Sequence, residues 1–232
     1  MLGPVFRLPL SLIPQKTILR VLRGPLRGQR WIVGSATHAH WAGTYETSRL
    51  NAFASALKPG DCIYDVGANV GIYTLLASLN VGPTGTVYAF EPVQRNLQYL
   101  RRHLALNKIE NCKVIEAAVC DTDGMLRFSS QHWGSAMGRL SDRGELQVDS
   151  VSLDSCCFRG RAFTLPNVIK IDVEGAEFLV LRGAKRILGE CHPRLFIEIH
   201  GRQQHSDCRE FLLGLGYHLE ESYGYIMCCS EE

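Results

Sequence analysis

The nine cysteines of this 232-residue chain include no C-x-x-C pair, and their number is odd. They are scattered, with adjacent pairs only at Cys156-Cys157 and Cys228-Cys229. These spacings argue against a zinc site and against a disulfide framework. Most of the thiols are therefore expected to be small apolar residues of a protein in a reducing, cytoplasmic compartment.

Long apolar runs are also missing. The N-terminal run at 6–13 is short and lies among Pro4, Pro9 and Pro14, so no transmembrane span is predicted. No small-residue cleavage site follows it, and a signal peptide is not expected. The formal net charge of +2 is too small to indicate a nucleic-acid partner. Internal repeats and low-complexity tracts are absent as well.

The remaining composition is that of an ordinary globular protein, with 46% apolar and 21% charged residues. The length allows one α/β domain with an N-terminal extension. We predict an extension at 1–45 and a domain at 46–232. Within the extension, strand-like runs at 18–23 and 29–33 flank a glycine- and proline-containing turn, which predicts a hairpin.

The predicted hairpin is rich in basic residues. They are Lys16, Arg20, Arg23, Arg27 and Arg30. One interpretation is a solvated hairpin face, and the alternative is a patch for an anionic substrate or a membrane surface. An amphipathic helix is predicted next, at 47–57.

From residue 61 onward, strand and helix patterns alternate with short loops, which predicts a doubly wound sheet. Strands are predicted at 62–65, 86–90, 112–118, 168–172 and 194–199, and helices at 72–79, 92–107, 176–188 and 207–215. A polar turn is predicted at 119–124, and a closing antiparallel hairpin is predicted at 217–221 and 225–229. The pattern loosens at 125–153 around residues 131–136, which we interpret as an insertion that carries part of a substrate pocket.

The stretch at 63–74 joins an apolar strand, a glycine turn and the start of a helix. Asp65 stands at the strand end, and Gly67 and Gly71 follow it. A helix N-terminus offers N–H groups and the aspartate offers an acceptor, so the turn suits a polar cofactor. The spacing is not G-x-G-x-x-G, and Asp65 would repel a pyrophosphate. A cationic ligand, S-adenosylmethionine (SAM), fits better; a tight turn without a ligand is the alternative.

Further acidic residues follow the next two strands. Glu91 ends the second strand, where a carboxylate can accept both ribose hydroxyls of an adenosine ligand. The same position also occurs in NAD-binding units, and the carboxylate could instead stabilise the next helix N-terminus. Asp121 could accept from an adenine amino group or could simply be a turn residue.

Lys170, Asp172 and Glu174 alternate with apolar residues, so an extended strand would place all three on one face. Charges on a strand buried on both faces require a reason. For Lys170 and Asp172 that reason is either chemistry or a partly buried ion pair. Glu174 and Glu177 could instead cap the following helix.

Glu198 and His200 repeat this alternation on the next strand. Each could be a metal ligand, a proton shuttle or a polar strand end. Together with Asp172 and Glu174 they make an oxygen-rich metal site conceivable, but the chemistry does not require a metal. The carboxyl ends of parallel strands meet at one edge, where the ligand crevice of such a sheet lies.

Four pieces of the chain, in this order and spacing, resemble the FkbM family of SAM-dependent methyltransferases. They are the runs at 65–71, 90–92, 169–177 and 196–200. The resemblance covers about residues 44–199 and leaves the first forty or so uncovered. It implies a class I (Rossmann-like) methyltransferase fold with a seven-stranded, mostly parallel sheet. It also implies O-methylation of a hydroxyl on a sugar, a polyketide or another small metabolite.

The resemblance and the pattern together predict a cofactor site and a catalytic site. SAM would be held by Asp65, Gly67, Asn69, Gly71, Glu91, Asp121 and Glu46. Asp172 would be the general base, because its strand lies next to the glycine-turn strand. Lys170 would stabilise negative charge there, and His200 and Glu198 would orient the acceptor.

Three rival functions remain open at this point. An N-methyltransferase acting on a small amine or RNA would need no strong base. A catalytically silent module would bind SAM without turnover. An NAD-dependent enzyme is disfavoured by the glycine spacing.

Overall fold

The computed structural model describes residues 10, 12–129, 139–140, 146–160, 163–222 and 225–230. The strands are β1 (Ile18–Arg20), β2 (Arg30–Ile32), β3 (Cys62–Val66), β4 (Thr86–Phe90), β5 (Cys112–Ile115), β6 (Ala118–Val119), β7 (Gly124–Ser129), β8 (Arg139–Leu140), β9 (Leu146–Val151), β10 (Val168–Ile171), β11 (Arg194–Glu198), β12 (Tyr217–Ser222) and β13 (Tyr225–Ser230). The helices are α1 (His38–Ala42), α2 (Thr47–Ala56), α3 (Ile72–Val81), α4 (Gln94–Leu106), α5 (Leu153–Phe158), α6 (Glu177–Gly183), α7 (Lys185–Cys191) and α8 (Arg202–Gly214), with a 3-10 helix at Val33–Ser35.

The central sheet has the strand order β12-β13-β11-β10-β3-β4-β5. The strands from β11 to β5 are parallel, whereas β13 runs antiparallel to β11 and β12 runs antiparallel to β13. Every residue of β3 is buried, as expected of an apolar strand covered on both faces. The predicted α/β class with a mostly parallel sheet is confirmed.

Alternate residues of β3 enter different parts of the core. Ile63 packs in one apolar cluster with Leu75 of α3, and Tyr64 packs in a second cluster with Val180 of α6. This alternation follows from the strand period of two. Both faces of the central sheet are therefore covered by helices. In the part of the chain that the structure describes, no helix is long and apolar enough to cross a bilayer.

The predicted strand at 112–118 is wrong at its end. β5 stops at Ile115, and the next two paired residues, Ala118 and Val119, join β9 in a separate sheet of order β6-β9-β7-β8. The chain turns between the two pieces, where the N–H of Ala117 donates to Ile115 O at 3.0 Å. The small sheet occupies part of the segment predicted as an insertion, and residues 131–136 lie outside the described residues.

The predicted helix at 176–188 is wrong in its continuity, because α6 and α7 are separate helices with Ala184 between them. A Cβ at Gly183 would lie 2.0 Å from Cys120 O. The C-terminal end of α6 therefore packs directly against the residue that follows β6. The helix predicted at 207–215 begins five residues earlier, at Arg202, because its first turn is polar and hides the helical period.

The boundaries of four further predicted elements also move. Helix α4 begins at Gln94 and not at Pro92, because Glu91 accepts a hydrogen bond from the N–H of Val93. Strand β3 extends one residue past Asp65. Strands β10 and β11 end one residue earlier than predicted. Asp172 therefore lies just beyond β10 and Glu198 ends β11, whereas Asp65 lies one residue before the end of β3.

The hairpin β1–β2 packs directly on α4. Trp31 of β2 stacks on His103 at a ring-centroid distance of 3.9 Å. The N–H of Ile32 donates to His103 Nε2 at 3.1 Å, and His103 Nδ1 contacts Val70 O at 2.8 Å. Burial lowers the pKa of His103 to about 4, so the ring is neutral at physiological pH. The hairpin is thereby fixed to the helix and to the loop that carries Val70.

Candidate functional site

Strands β3, β4, β10 and β11 deliver ionisable side chains to one edge of the sheet. Asp65 lies beside Lys170 in the register of β3 and β10. Glu91 follows β4, and Glu198 ends β11. The structure therefore places the strand-end residues along the predicted crevice edge.

Asp65 and Lys170 form an ion pair beneath the glycine turn. The Lys170 ammonium lies 3.3 Å from Asp65 Oδ1 and donates to Gly67 O at 3.0 Å. Thr74 Oγ1 donates to Asp65 Oδ2 at 2.5 Å. Asp65 has no exposed surface, and only 6% of the Lys170 side chain is exposed. Both groups hold the turn in shape, and their predicted roles toward a ligand stay predictions.

The charge of Lys170 is maintained by its neighbours. Burial alone would lower the pKa of this ammonium ion. The negative charges of Asp65 and Asp172 outweigh that effect, and the pKa of Lys170 is raised. The base of the site thus contains a permanent buried cation.

Other residues of the chain pack so closely against Gly67 and Gly71 that neither position has room for a side chain. Gly67 has φ 76°, and a Cβ there would lie 1.9 Å from Asp172 O. Gly71 has φ 95°, and a Cβ there would lie 2.5 Å from Leu100 Cδ1. Both positions need a left-handed backbone and a missing side chain. The glycines are therefore required by the turn and by its contact with the loop after β10.

Glu91 lies against this turn. Its Oε2 accepts from the N–H of Asn69 at 2.8 Å, and its Oε1 accepts from the N–H of Val93 at 2.8 Å and from Asn96 Nδ2 at 3.3 Å. Glu91 therefore links the glycine turn to the start of α4. Burial raises the pKa of Glu91 to about 7, against the lowering effect of these donors. A carboxylate offers about four acceptor sites, so capacity remains for a further donor.

Asp121 is not brought together with these residues. Its Oδ2 lies 3.1 Å from Arg182 of α6, and the two line a separate depression of about 480 Å³. Among the described contacts none joins Asp121 to Asp65 or Glu91. The chain leaves the central sheet at Ile115 before it reaches Asp121, and the adenine contact stays a prediction.

Asp172 and Glu174 lie just past β10 and remain partly exposed. Asp172 Oδ2 is 3.8 Å from the Lys170 ammonium, and 27% of the aspartate side chain is exposed. Glu174 adopts φ 55°, a left-handed backbone. Its Oε2 lies 3.6 Å from Nε2 of His200. Burial raises the pKa of Glu174.

His200 is held by a carboxylate that the sequence analysis assigned only to helix capping. Its Nδ1 lies 2.9 Å from Oε1 of the fully buried Glu177. This hydrogen bond, together with Glu174 and Asp172, raises the pKa of His200 to about 9. His200 is therefore a cation at neutral pH. Asp172, Glu174 and His200 each place one ligand-type atom within 4.8 Å of the other two, a spacing that a divalent cation could share only if His200 lost its proton.

A second ionic group connects β11 to α2. Arg49 Nη1 donates to Glu198 Oε1 at 2.9 Å and to Glu46 Oε1 at 3.4 Å. Tyr73 donates to Glu46 Oε2 at 3.0 Å. Burial raises the pKa of Glu198, and the charge of Asp172 adds to that effect. Arg49 thus links Glu46 to Glu198 at the end of β11, and Tyr73 links Glu46 to the first turn of α3.

Sequence reasoning missed Arg49, Tyr45 and Tyr73 as residues of this site. It also missed the contact of Glu177 with His200. Burial raises the pKa of Tyr45, and the charges of Glu46, Asp172 and Glu198 add to the effect. Tyr45 is therefore a neutral hydroxyl among these carboxylates. Glu46 stands directly before the predicted helix and three residues before Arg49, a spacing that favours their pairing. The partner Glu198 is 149 residues away, and no local pattern reveals it.

Methyltransferases of known structure share this α/β fold with its mostly parallel central sheet. Solved structures agree on the fold. The FkbM methyltransferase of Methylobacillus flagellatus KT superposes with a TM-score of 0.54 at 18% identity, over 83% of this chain and 54% of that one. A SAM-dependent O-methyltransferase of Thermotoga maritima gives a TM-score of 0.51 at 14% identity, over 79% of this chain and 64% of that one.

Residues 65–226 match the methyltransferase FkbM domain, and the chain belongs to this family, as predicted. The 31-O-demethyl-FK506 methyltransferase FkbM of Streptomyces tacrolimicus is 29% identical over 160 residues, with 56% of this chain and 61% of that protein covered. The hexuronic acid methyltransferase AglP of Haloferax volcanii is 25% identical over 154 residues, with 66% of this chain and 61% of that protein covered. The matches thus span about three fifths of the length of these relatives.

Proposed function

We propose that this chain binds SAM at the turn 67–71 and transfers its methyl group to a hydroxyl of a small-molecule acceptor. One observation carries the proposal. The backbone of Asp172 packs directly on Gly67, so a partly exposed carboxylate adjoins the turn that would hold the cofactor. A base and a methyl donor must be neighbours for an in-line displacement.

The charges along the edge suit a cationic ligand. The carboxylates are Asp65, Glu91, Asp172, Glu174, Glu177, Glu198 and Glu46, and the cations are Lys170, Arg49 and protonated His200. The excess negative charge favours a ligand with a sulfonium and an amino group. When bound, SAM would supply a methyl group activated by its positively charged sulfur.

In this proposal Glu91 accepts a hydrogen bond from a ribose hydroxyl. It retains acceptor capacity, and its contact with the N–H of Asn69 places it at the turn. Asp65 and Lys170 act indirectly, since they shape the turn from beneath. Both binding sites would lie in the predicted domain 46–232.

Asp172 is the proposed general base. An aliphatic hydroxyl is a poor nucleophile until a positioned group takes its proton. His200 has a pKa of about 9 and is already protonated at neutral pH, so it cannot accept that proton. Glu198 is engaged by Arg49 at 2.9 Å. His200 and the Arg49–Glu198 pair would instead position the acceptor.

The name of the FkbM relative refers to an O-demethyl substrate and favours an oxygen acceptor such as a hydroxyl, whereas a hexuronic acid offers both hydroxyl and carboxylate oxygens. An amine acceptor is the second candidate, because the excess of carboxylates would attract a protonated amine. Transfer of labelled methyl from SAM to panels of hydroxyl and amine acceptors separates the two. Label recovered only in N-methylated products would replace the O-methylation proposal.

Adenosine binding should depend on pH through Glu91. We expect 5′-methylthioadenosine, which carries neither the amino acid nor the sulfonium charge, to bind most tightly above about pH 8. The free enzyme has a Glu91 pKa of about 7, and ribose hydroxyls donate best to the ionised form. Affinity should fall as pH drops below 7, approaching about tenfold per unit for one linked proton. Fluorescence or calorimetric titration across this range measures the change.

Glu91→Gln is the matched control for this measurement. It should bind the ligand roughly tenfold to a hundredfold more weakly at high pH, as for the loss of a hydrogen bond to a charged group. Its affinity should then be independent of pH in this range. A wild type whose affinity is equally flat would remove Glu91 from the ribose site.

A further inference from the structure

Charge is distributed unevenly between the extension and the rest of the chain. Residues 1–45 contain six basic residues and no aspartate or glutamate. Residues 46–232 contain the other 19 basic residues against all 23 acidic ones, a net charge of −4. The overall charge of +2 conceals this asymmetry. Such a separation indicates a surface for an anionic partner.

Five basic residues in and beside the hairpin, Lys16, Arg20, Arg23, Arg27 and Arg30, are together called the basic hairpin face below. All five are exposed. None of them takes part in an ion pair with any carboxylate that the structure describes. Arg20 does donate to Gly28 O at 2.8 Å, which fixes its side chain along the hairpin.

Two of these arginines lie directly opposite each other. The register of β1 and β2 pairs Arg20 with Arg30. Like charges at facing positions of an antiparallel pair destabilise it. An anion on this face would remove that repulsion, since no protein carboxylate in the described chain does so.

Strand β2 fixes the hairpin to the rest of the protein. Trp31 and Ile32 are fully buried, whereas Arg30 is exposed. The N–H of Arg30 donates to Asn107 Oδ1 at 2.7 Å, and Asn107 Nδ2 donates to Arg30 O at 2.9 Å. The hairpin is therefore anchored at the end of α4, and its arginine pair is held on the exposed side. Little ordering would be needed on binding.

Large apolar side chains are exposed among the cations. Leu22 is 58% exposed and Ile18 is 44% exposed, and Leu12 just before them is 81% exposed. A nucleic acid would use aromatic stacking platforms, yet 16–30 contains no aromatic residue and Trp31 is buried. The headgroup region of a bilayer accommodates both arginines and aliphatic side chains.

We propose that the basic hairpin face docks the protein onto a bilayer surface that carries anionic phospholipids. The arginines and the lysine meet the lipid phosphates and carboxylates, and Leu22 and Ile18 enter the interface between them. The rest of the chain, with its net negative charge, is repelled by the same surface. The hairpin thus sets which side of the protein faces the membrane, independently of methyl transfer.

Vesicle co-sedimentation tests this proposal with the full chain. We expect binding to vesicles of phosphatidylcholine with about one third phosphatidylserine at about 0.1 M salt, and little binding to pure phosphatidylcholine. Phosphatidylglycerol should replace phosphatidylserine, since charge is what is recognised. Each cation near such a surface contributes about fivefold to affinity. Arg20→Gln with Arg30→Gln should therefore weaken binding about 25-fold.

The control is Lys58→Gln with Lys185→Gln, two exposed lysines outside the hairpin whose loss changes net charge equally. It should bind vesicles like the wild type, and both double variants should unfold at the wild-type temperature. Arg23→Gln with Arg27→Gln provides a second, independent reduction. Equal binding to neutral vesicles, or equal weakening in the control, would overturn the proposal. A single-stranded oligonucleotide that displaces the protein from vesicles would show a general polyanion site and would also overturn it.

Discussion

Replacing Asp172 with asparagine should lower the single-turnover rate of methyl transfer by about 10²–10⁴-fold, the usual contribution of a general base. Asparagine has nearly the same shape but cannot take the acceptor proton. The affinity for S-adenosylhomocysteine should change little, because the Asp172 side chain makes no described contact with Glu91 or Asn69. Rapid-quench kinetics with labelled SAM, beside a binding titration, measures both quantities.

Two controls separate this role from a general effect on the site. His200→Gln keeps a hydrogen-bond donor for Glu177 and should lower turnover less while raising the acceptor KM. Asp149→Asn, an exposed aspartate of β9, should change neither quantity. Normal turnover of Asp172→Asn with an inactive His200→Gln would move the base to β11. Loss of cofactor affinity in Asp172→Asn would assign that carboxylate to the cofactor site.

Replacing Lys170 with methionine should destabilise the fold by about 3–5 kcal/mol, because it leaves a buried carboxylate without its counter-charge. Asp65 has no exposed surface and would keep only the Thr74 hydroxyl as a partner. Gly67 O would lose its donor as well. For a chain of this size the melting temperature should fall by roughly 6–20 °C. Urea titration gives the free energy of unfolding, and scanning calorimetry gives Tm.

A double variant identifies the cause. Adding Asp65→Asn to Lys170→Met removes the unpaired charge and should recover part of the lost stability. Lys185→Met, an exposed lysine of α7, should stay within about 0.5 kcal/mol of the wild type. If Lys170→Met were as stable as the wild type, the buried pair would have no structural role. If the double variant were less stable than the single one, the ion-pair explanation would be wrong.

The fold of the central sheet could be predicted because its strands carry a strong local signal. β4 was predicted at 86–90 and is found at Thr86–Phe90. Apolar runs ended by glycine or by a charged residue mark such strands without any knowledge of tertiary contacts. The polar strand-end residues could be grouped for the same reason, since parallel strands present their carboxyl ends at one edge.

The depth of each residue within the site could not be predicted. Alternation along β10 predicted one charged face, yet Lys170 is buried beneath the turn and Asp172 lies past the strand end. A period-two pattern fixes which face a residue occupies but says nothing of what covers that face. The burial of Lys170 depends on Asp65 and Gly67, both more than a hundred residues earlier.

Contacts distant in sequence account for the other differences. The end of α6 at Gly183 is set by the approach of Cys120 O. The ion pair between Arg49 and Glu198 joins α2, near the start of the chain, to β11, the last parallel strand. Asp121 follows an apolar stretch that looks like one strand, but the chain changes sheets within it. None of these features has a local pattern in the sequence.

Calorimetric titration of the wild-type protein with S-adenosylhomocysteine tests the central claim most directly. The site predicts one binding event per chain with a dissociation constant in the micromolar range. NAD, titrated in the same way, should give no binding, because the turn lacks the dinucleotide spacing and its edge carries excess negative charge. No heat from S-adenosylhomocysteine or SAM, with both measured well above micromolar concentrations, would contradict a SAM-dependent methyltransferase. Saturable binding of NAD in their place would contradict it equally.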